Sequence, residues 1–440
     1  MPPSPDLIIS GQYLMPTAHE TDLITDGAVA IKDDTIIATG TANELAARYP
    51  DTETLHEPFG LIMPGLINTH THAAMSCMRG MADDLELMNW LQNHIFPVEA
   101  QLTPEIVYQA TQLSIAEMIR SGTTSFCDMY LFSKEVARAT ADSGMRAWIG
   151  EVLYDFPSPC YGELENGFAY TRELLTEYQD HPTISITVDP HAVYTCAPNL
   201  LERLNTLASD HQSLMVIHLS ENTAEVDGCL TQYGCRPVEH LDRLGLLHER
   251  TLAAHCVMLS HSEIDLLAKR RVKVSHCPES NMKLASGTAP VPQMLAAGIT
   301  LGLGTDGAAS NNNVDLFGEM NSAAKLHKVT TMDPTVMDAS TTLHAATQGG
   351  ADCLLSGHTI GSLKTGKKAD LIVLDLNQPH LTPLYHLPSH LVYAARGADV
   401  IHSMINGRLV MRNRHLLTLD EKDIISQAQT LGQKISALQG

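Results

Sequence analysis

The chain has 440 residues, of which 44% are hydrophobic and 18% charged, a composition typical of a globular protein rather than a disordered or fibrous one. Its length favours either about three domains of ~150 residues or one α/β barrel of ~250 residues or more with a smaller domain. A net charge of −22 disfavours binding to nucleic acid or to anionic membranes, and no apolar run approaches the ~18 residues of a membrane span.

The first residues and the cysteines predict a cytoplasmic protein. Residues 1–6 contain no basic region and precede no long apolar stretch, so they do not resemble a secretory signal. The nine cysteines are scattered without a C-x-x-C pair, which favours reduced, buried thiols over disulfides or a structural zinc site.

Residues 1–63 show hairpin patterning without a long helix. Short apolar runs occupy Leu7–Ile9, Gly27–Ile31 and Ile36–Ala38, and Asp33–Asp34 predicts a turn between the last two runs. We interpret this segment as the first part of a small β domain.

Between Gly65 and Gly307, short apolar, β-branched runs alternate with longer amphipathic stretches, as in repeated β-α units, and we assign residues 64–368 to this domain. Eight strands are predicted, at Leu66–Asn68, Thr123–Met129, Arg146–Val152, Ile184–Val188, Leu214–Leu219, Leu252–His255, Val272–Ser275 and Ile299–Gly304. The intervening segments carry helix signals. Thr103–Pro104–Glu105 predicts a capped start for a helix that Gly122 ends, and similar starts occur at Ala197–Pro198 and Ser260. Eight such units predict a (β/α)8 barrel.

Residues 369–440 return to strand patterning. The run Ala369–Leu374 is followed by Val400–Ile405, which turns at Asn406–Gly407 into Arg408–Val410. Because chain termini often lie close together, we expect both ends of the chain to form one small β-sandwich domain, completed by a terminal helix.

Histidines and acids cluster at the ends of the predicted barrel strands. His70 and His72 follow the first strand, and side chains two apart in an extended chain point to the same side. Further candidates follow the fourth to eighth strands, at Asp189, His191, His218, Glu221, His255, His276 and Asp306.

Each of these residues alone would be explained as a hydrogen-bonded core histidine or a loop acid. Together they lie at the face where barrel enzymes carry their active sites. Imidazoles and a carboxylate suit Zn²⁺, with Fe²⁺ or Mn²⁺ as alternatives, and such an ion lowers the pKa of a bound water to about 7. One ion is expected, because the chain has no lysine between Lys134 and Lys269 to bridge a second one.

Several motifs resemble the amidohydrolase superfamily along nearly the whole chain. They include residues 64–72, PGLINTHTH, and 367–375, KKADLIVLD. Other stretches are similar to the 5-methylthioadenosine/S-adenosylhomocysteine deaminase family, namely 78–84, 95–99, 218–222, 275–284 and 304–311.

The resemblance implies a metal-dependent hydrolytic deaminase of adenine nucleosides. It implies that the metal ligands are His70, His72, His218 and Asp306. It further implies that Glu221 protonates the purine ring, that His255 orients or deprotonates the attacking water, and that Asp306 carries a proton to the departing ammonia. The substrate contacts it implies are Glu99, on the ribose hydroxyls, His191, Glu221, Asp306 and Ser310.

Some residues keep two interpretations. Glu99 is equally well explained as a solvated first-turn acid. Asp128, at the end of the second strand, either caps a helix or hydrogen-bonds a ligand histidine, and His276 has no clear role. The methionines near the first motif either line an apolar pocket or pack in the core; they are Met75, Met78, Met81 and Met88.

The substrate remains open in three respects. Ala147–Tyr170 contains neither Arg nor Lys, which disfavours the amino acid tail of S-adenosylhomocysteine and favours 5′-methylthioadenosine or adenosine. A deaminase or chlorohydrolase of guanine, a pterin or a triazine is the alternative enzyme, and a non-catalytic metal-dependent binding barrel is the alternative of another class.

The expected partner is the nucleoside substrate, and we expect no nucleic acid or membrane partner. We also expect a homo-oligomer, either a dimer or a tetramer.

Overall fold

A ring of parallel strands forms the centre of the computed structural model, which describes residues 4–85 and 87–437. In chain order these barrel strands are Leu66–Thr71, Thr123–Tyr130, Arg146–Leu153, the pair Ile184–Ile186 and Asp189–Pro190, Met215–Leu219, Thr251–His255, Lys273–His276 and Leu301–Leu303. The eighth strand pairs with the first through Leu303 and Asn68, and the bridges Val188–Met215 and Ala192–His218 join the fourth to the fifth. The strands close into a (β/α)8 barrel.

The fourth strand is less continuous than the predicted run Ile184–Val188. Its two short pieces both pair with the third strand, at Ile186 and again at Asp189. Pro190 lacks the N–H that would continue the ladder, so the strand ends there and the chain turns toward His191.

Helices surround the barrel and begin at the predicted signals. The Thr103 side chain accepts a hydrogen bond from the N–H of Ile106 at the start of the helix Pro104–Arg120, and Gly122 follows its end with φ of +85°. The α-helices are Ala42–Arg48, Leu87–Trp90, Phe96–Glu99, Pro104–Arg120, Ser133–Ser143, Leu164–Glu177, Pro198–Asp210, Thr223–Tyr233, Pro237–Arg243, His261–Arg270, Pro278–Lys283, Val291–Ala296, Ala308–Asn311, Leu316–Thr331, Ala339–Ala346, Gln348–Cys353, Leu387–Tyr393 and Glu421–Ala437. No helix within residues 4–85 and 87–437 is both long and apolar enough to cross a membrane.

Strands from both ends of the chain share a second sheet of nine strands. They are Leu7–Leu14, Ile24–Thr25, Gly27–Lys32, Thr35–Thr41, Glu53–Pro64, Leu371–Asp375, Val400–Ile405, Arg408–Arg412 and His415–Leu416. The two ends meet where Leu371–Asp375 runs antiparallel to Glu53–Pro64, and Asn406 and Gly407 both adopt positive φ in the predicted hairpin turn. Buried side chains of both ends, including Ile9, Val29 and Val373, pack in one core.

The terminal helix Glu421–Ala437 packs on the barrel. Its Leu431 and Ile435 side chains are buried in the main core, and Glu421 pairs with Arg120 of the helix Pro104–Arg120 at 2.8 Å. The terminal helix therefore packs against the helix Pro104–Arg120, which connects the first and second barrel strands.

Candidate active site

Three histidines and one aspartate converge at the carboxyl end of the barrel. His70 lies in the first strand, His72 directly after it, and His218 in the fifth strand. Ligand-type atoms of these three histidines lie within 4.8 Å of one another, and those of His70, His255 and Asp306 form a second such group. The His72 Nε2 lies 3.1 Å from Asp306 Oδ1 and 3.4 Å from His218 Nε2.

Backbone carbonyls orient two of these imidazoles. The His218 Nδ1 lies 2.9 Å from the carbonyl oxygen of His191, and the His72 Nδ1 bonds the carbonyl oxygen of Met129. In each ring the Nδ1–H donates to a carbonyl oxygen, so Nε2 is the nitrogen directed at the shared space, as in metal-ligating histidines. The sequence could not indicate either carbonyl partner.

The buried imidazole of His70 indicates that a metal ion fits this site. Its side chain is fully buried, yet neither ring nitrogen has a hydrogen-bond partner among the described residues. A buried imidazole without a partner is costly, whereas a metal ion would satisfy one nitrogen. The donor set of three imidazoles and one carboxylate is therefore suited to a divalent transition-metal ion.

Asp306 is held rigidly on the side away from the histidines. Its Oδ2 accepts hydrogen bonds from Ser280 Oγ at 2.6 Å and Ser310 Oγ at 2.8 Å, while Oδ1 faces His70 and His72. Its backbone has φ of +59°, a left-handed conformation that Asp tolerates and that often marks functional positions.

Burial and charge fix the protonation of the cluster. Burial lowers the pKa of His70 and of His218 well below the usual value, so both are neutral and able to coordinate. Burial also lowers the pKa of His72, but the adjacent Asp306 carboxylate outweighs it and raises the pKa to about 9. His72 would therefore have to lose its Nε2 proton on binding a metal ion. Burial raises the pKa of Asp306, yet the bond and charge of His72 hold it well below its usual range.

Glu221 and His255 face each other beside this cluster. The Glu221 carboxylate lies 3.9 Å from His255 Nε2, and burial raises the pKa of Glu221. Two backbone N–H groups, of Ser220 and Glu221, donate to the buried Glu225 carboxylate at 2.9 and 2.8 Å. Sequence reasoning missed Glu225, because an acid in the first turn of a helix gives no sign in the sequence of being buried.

Three members of the cluster, His72, His218 and Asp306, line a cavity with about 680 Å³ of empty space, part of which is open to solvent. Glu99 and His191 both line it, and Met75 is the member of the methionine group that lines it. Its walls carry aromatic and aliphatic side chains, which are Leu87, Trp90, Leu91, Phe96, Tyr130, Leu131, Val152, Tyr154, Phe156, Tyr194 and Leu284. None of the lining residues in the described part of the chain is Arg or Lys.

A distorted helical segment brings Glu99 and part of this wall over the barrel. The π-helical turn Leu91–Ile95 joins the helix Leu87–Trp90 to the helix Phe96–Glu99. Such turns widen the helix and are frequent at functional sites. Burial raises the pKa of the Glu99 carboxyl.

Some predicted residues lie outside the cavity lining, among them Ser310, Asp128 and His276. Ser310 donates to Asp306 and is not among the residues that line the cavity, so its expected contact with substrate stays a prediction. Asp128 accepts a hydrogen bond from the N–H of Ala73 and so caps the 3-10 turn Ala73–Met78, the simpler of its two interpretations. His276 bonds the buried His327, with 2.9 Å between their Nε2 atoms.

Comparison with known proteins gives the family. The model of the amidohydrolase family matches residues 61–410, and a bacterial imidazolonepropionase-like composite domain matches residues 27–51. A 5-methylthioadenosine/S-adenosylhomocysteine deaminase of Syntrophobacter fumaroxidans is 55% identical over 98% of each chain. A 5′-deoxyadenosine deaminase of Methanosarcina mazei is 43% identical over 98% of this chain and 99% of the relative.

Solved structures agree with these relatives. An adenosine deaminase of Xanthomonas campestris with bound zinc has a TM-score of 0.97 and 41% identity, covering 99% of this chain and 100% of that one. A zinc-complexed atrazine chlorohydrolase of Arthrobacter aurescens has a TM-score of 0.90 at 22% identity, over 97% and 100% of the two chains, which shows a shared fold alone. By sequence and by fold, this chain belongs to the amidohydrolase family and, within it, to the 5-methylthioadenosine/S-adenosylhomocysteine deaminases.

Proposed function

We propose that this protein, a hydrolytic deaminase, converts 5′-methylthioadenosine and adenosine to the corresponding inosine analogues and ammonia. The observation that carries the proposal is the pairing of Glu221 with His255 beside the three histidines and Asp306, at the floor of a largely apolar cavity. This arrangement offers a proton acceptor, a proton donor and a metal site around the position of one reacting carbon.

We propose that His70, His72, His218 and Asp306 hold one divalent ion, with Zn²⁺ favoured over Fe²⁺ or Mn²⁺ by the imidazole-rich donor set. When bound, such an ion acidifies a water molecule, so that hydroxide is available at neutral pH. A second ion has no evident bridging ligand, because no lysine occurs between Lys134 and Lys269.

Side chains of the protein would carry out the proton transfers of the reaction. His255 takes up the proton of the water or orients it toward the amino-bearing carbon of adenine. Electrons then move onto a ring nitrogen, and Glu221 protonates that nitrogen. Its buried site raises the pKa of Glu221, which favours the protonated donor form. Asp306 then takes the proton of the hydroxyl group added to this carbon and passes it to the amino group, which leaves as ammonia while the carbonyl forms. A proton taken up by His255 returns to Glu221, whose carboxylate lies 3.9 Å from the His255 Nε2.

We assign nucleoside recognition to Glu99 and His191. The Glu99 carboxylate lies on the cavity wall, where it can accept hydrogen bonds from the ribose hydroxyls. The His191 Nδ1 lies 2.8 Å from Thr195 Oγ1, which fixes the ring at the cavity surface. Tyr154 and Phe156 stack at 3.9 Å and supply an apolar surface at the mouth.

A substrate panel tests the function. Ammonia release and ultraviolet absorbance should show turnover of 5′-methylthioadenosine and adenosine and little turnover of guanine, a pterin or a triazine. Preferential turnover of one of the last three would assign the site to another heterocycle. Absence of turnover on all of them by zinc-loaded protein would favour a binding barrel.

We expect poor use of S-adenosylhomocysteine. Its tail carboxylate would enter a cavity whose described lining has no Arg or Lys, and an unpaired carboxylate in an apolar wall is unfavourable. The value of kcat/KM should be at least about tenfold lower than for 5′-methylthioadenosine, a difference of about 1.4 kcal/mol.

A gain-of-function variant checks the same point. Phe156 lies at the mouth and is 40% exposed, so Phe156→Arg can present a cation to the tail. We expect it to raise the kcat/KM ratio of S-adenosylhomocysteine to 5′-methylthioadenosine, whereas Phe156→Leu should not. A wild-type preference for S-adenosylhomocysteine would contradict the prediction.

Metal removal provides a further expected result. Dialysis against a chelator should abolish turnover, and add-back of Zn²⁺ should restore it better than Fe²⁺ or Mn²⁺, with about one ion per chain by elemental analysis. Full activity in material without bound metal would contradict the assignment of the four ligands.

We also propose that residues 64–368 act as the catalytic barrel, flanked by a β-sandwich domain of residues 1–63 and 369–440. The shared core of both chain ends supports this division. We further propose a dimer or tetramer and a cytoplasmic location, and the nine free cysteines support the location.

A further inference from the structure

The short helix Pro278–Lys283 carries two consecutive buried polar residues beside the candidate active site. It begins immediately after the seventh barrel strand, with Pro278 in its first turn. Ser280 is 0% exposed and Asn281 is 1% exposed. Neighbouring residues on a helix point in different directions, so the two side chains reach different members of the site.

Ser280 acts on Asp306. Its hydroxyl donates to Asp306 Oδ2 at 2.6 Å, and Ser310 donates to the same oxygen at 2.8 Å. With Oδ2 held by two hydroxyls, the carboxylate cannot rotate freely, and Oδ1 stays directed at His70 and His72. The hydroxyl of Ser280 thus selects which carboxylate oxygen faces the site.

Asn281 acts on His255. Its Oδ1 lies 2.9 Å from His255 Nδ1 and accepts the Nδ1–H, which leaves the Nε2 lone pair directed toward Glu221 and the floor of the cavity. The Asn281 Nδ2 has no hydrogen-bond partner among the described residues. An amide acceptor sets the tautomer of the imidazole without adding a charge beside it.

Contacts outside the cavity hold this helix in place. The Lys283 ammonium donates to the carbonyl oxygen of Ala309 at 3.0 Å and pairs with Asp83. At the other end, Glu279 accepts hydrogen bonds from Ser322 and Asn313 at 2.7 and 3.0 Å. The helix is therefore positioned by the protein itself, before substrate binds.

We propose that Ser280 and Asn281 are positioning residues that place Asp306 and His255 relative to each other and keep the proton-accepting nitrogen of His255 directed at the water. This inference rests on the proposed function, since it concerns how the two groups act on one substrate. Simple satisfaction of buried polar groups is the alternative, and it predicts no specific effect on turnover.

Variants at Asn281 test the proposal. Asn281→Leu keeps the approximate volume and removes the acceptor, so kcat for 5′-methylthioadenosine should fall about 100-fold, at the lower end of what a positioned acid–base group contributes. Asn281→Asp keeps the acceptor and should retain at least about a tenth of kcat. The KM and the metal content should change little, because Asn281 neither lines the cavity nor belongs to the proposed metal ligands.

Two variants at Ser280 test the other half of the proposal. Ser280→Ala should lower kcat and weaken zinc retention against a competing chelator, whereas Ser280→Thr, which keeps a hydroxyl, should restore both. Met282 is the matched control, because it lies on the same helix with its side chain 43% exposed. Met282→Gln should match wild type in every measurement.

The outcomes separate the two claims. A wild-type protein without nucleoside deaminase activity would overturn the proposed function. An active wild type with Asn281→Leu within about threefold of its kcat would overturn the positioning role. Equal losses of kcat, metal and Tm in both Asn281 variants would assign Asn281 a purely structural role. In wild-type protein with ¹⁵N-labelled histidine, NMR should show His255 protonated at Nδ1, and protonation at Nε2 would overturn the inference.

Discussion

Replacement of Glu221 by Gln is expected to lower kcat by about 10²- to 10⁴-fold with little change in KM. The glutamine keeps the size and polarity of the side chain, so the nucleoside can still bind. It has no acidic proton, so the ring nitrogen that gains electron density during attack stays unprotonated. Steady-state kinetics with 5′-methylthioadenosine measure the effect.

The control for this variant lies in the next helix. Asp227 is an exposed acid of the helix Thr223–Tyr233 and does not line the cavity. Asp227→Asn therefore removes one negative charge close to Glu221 in the chain and leaves the cavity unchanged. It should keep wild-type kinetics. If Glu221→Gln retains a kcat near that of wild type, the proton donor is another group.

Replacement of Asp306 by Asn is expected to lower kcat by about 10³-fold or more while the protein remains folded. The amide can satisfy the Ser280 and Ser310 hydroxyls or present its oxygen to the metal site. Either orientation leaves a neutral, weaker ligand that cannot carry a proton to ammonia. We expect reduced zinc content and a Tm within several degrees of wild type.

Kinetics, elemental analysis and thermal unfolding together check this prediction. Asp265→Asn, on the exposed face of the helix His261–Arg270, controls for loss of an aspartate charge on the barrel. An Asp306→Asn protein with substantial turnover would contradict both the ligand role and the proton-transfer role of Asp306.

The residues that meet at the barrel mouth were largely predictable from their sequence positions. His70 and His72 are two residues apart at a strand end, and His218, His255 and Asp306 each follow or end another predicted strand. Since a parallel barrel brings the carboxyl ends of all its strands to one face, strand prediction alone brings these residues together. The structure places their ligand atoms in two groups, each within 4.8 Å.

The partners of these residues were not predictable. Glu225 holds the turn at Glu221, but an acid in the first turn of a helix is ordinarily read as solvated. Ser310 donates to Asp306, a contact that the sequence did not indicate, because the short helix Ala308–Asn311 places its hydroxyl near the strand end. The break in the fourth strand depends on Pro190 and its neighbours in the closed barrel.

The sequence by itself determined the barrel, the flanking β strands and the set of candidate ligands, because strand and helix periodicity and strand-end positions are local properties of the chain. Only the tertiary structure decided how those groups are oriented. The carbonyl oxygen of Met129 on His72, Ser280 on Asp306 and Asn281 on His255 act across 57, 26 and 26 residues of sequence. No local pattern encodes such contacts, since they arise only when the closed ring of strands brings separate loops to one face.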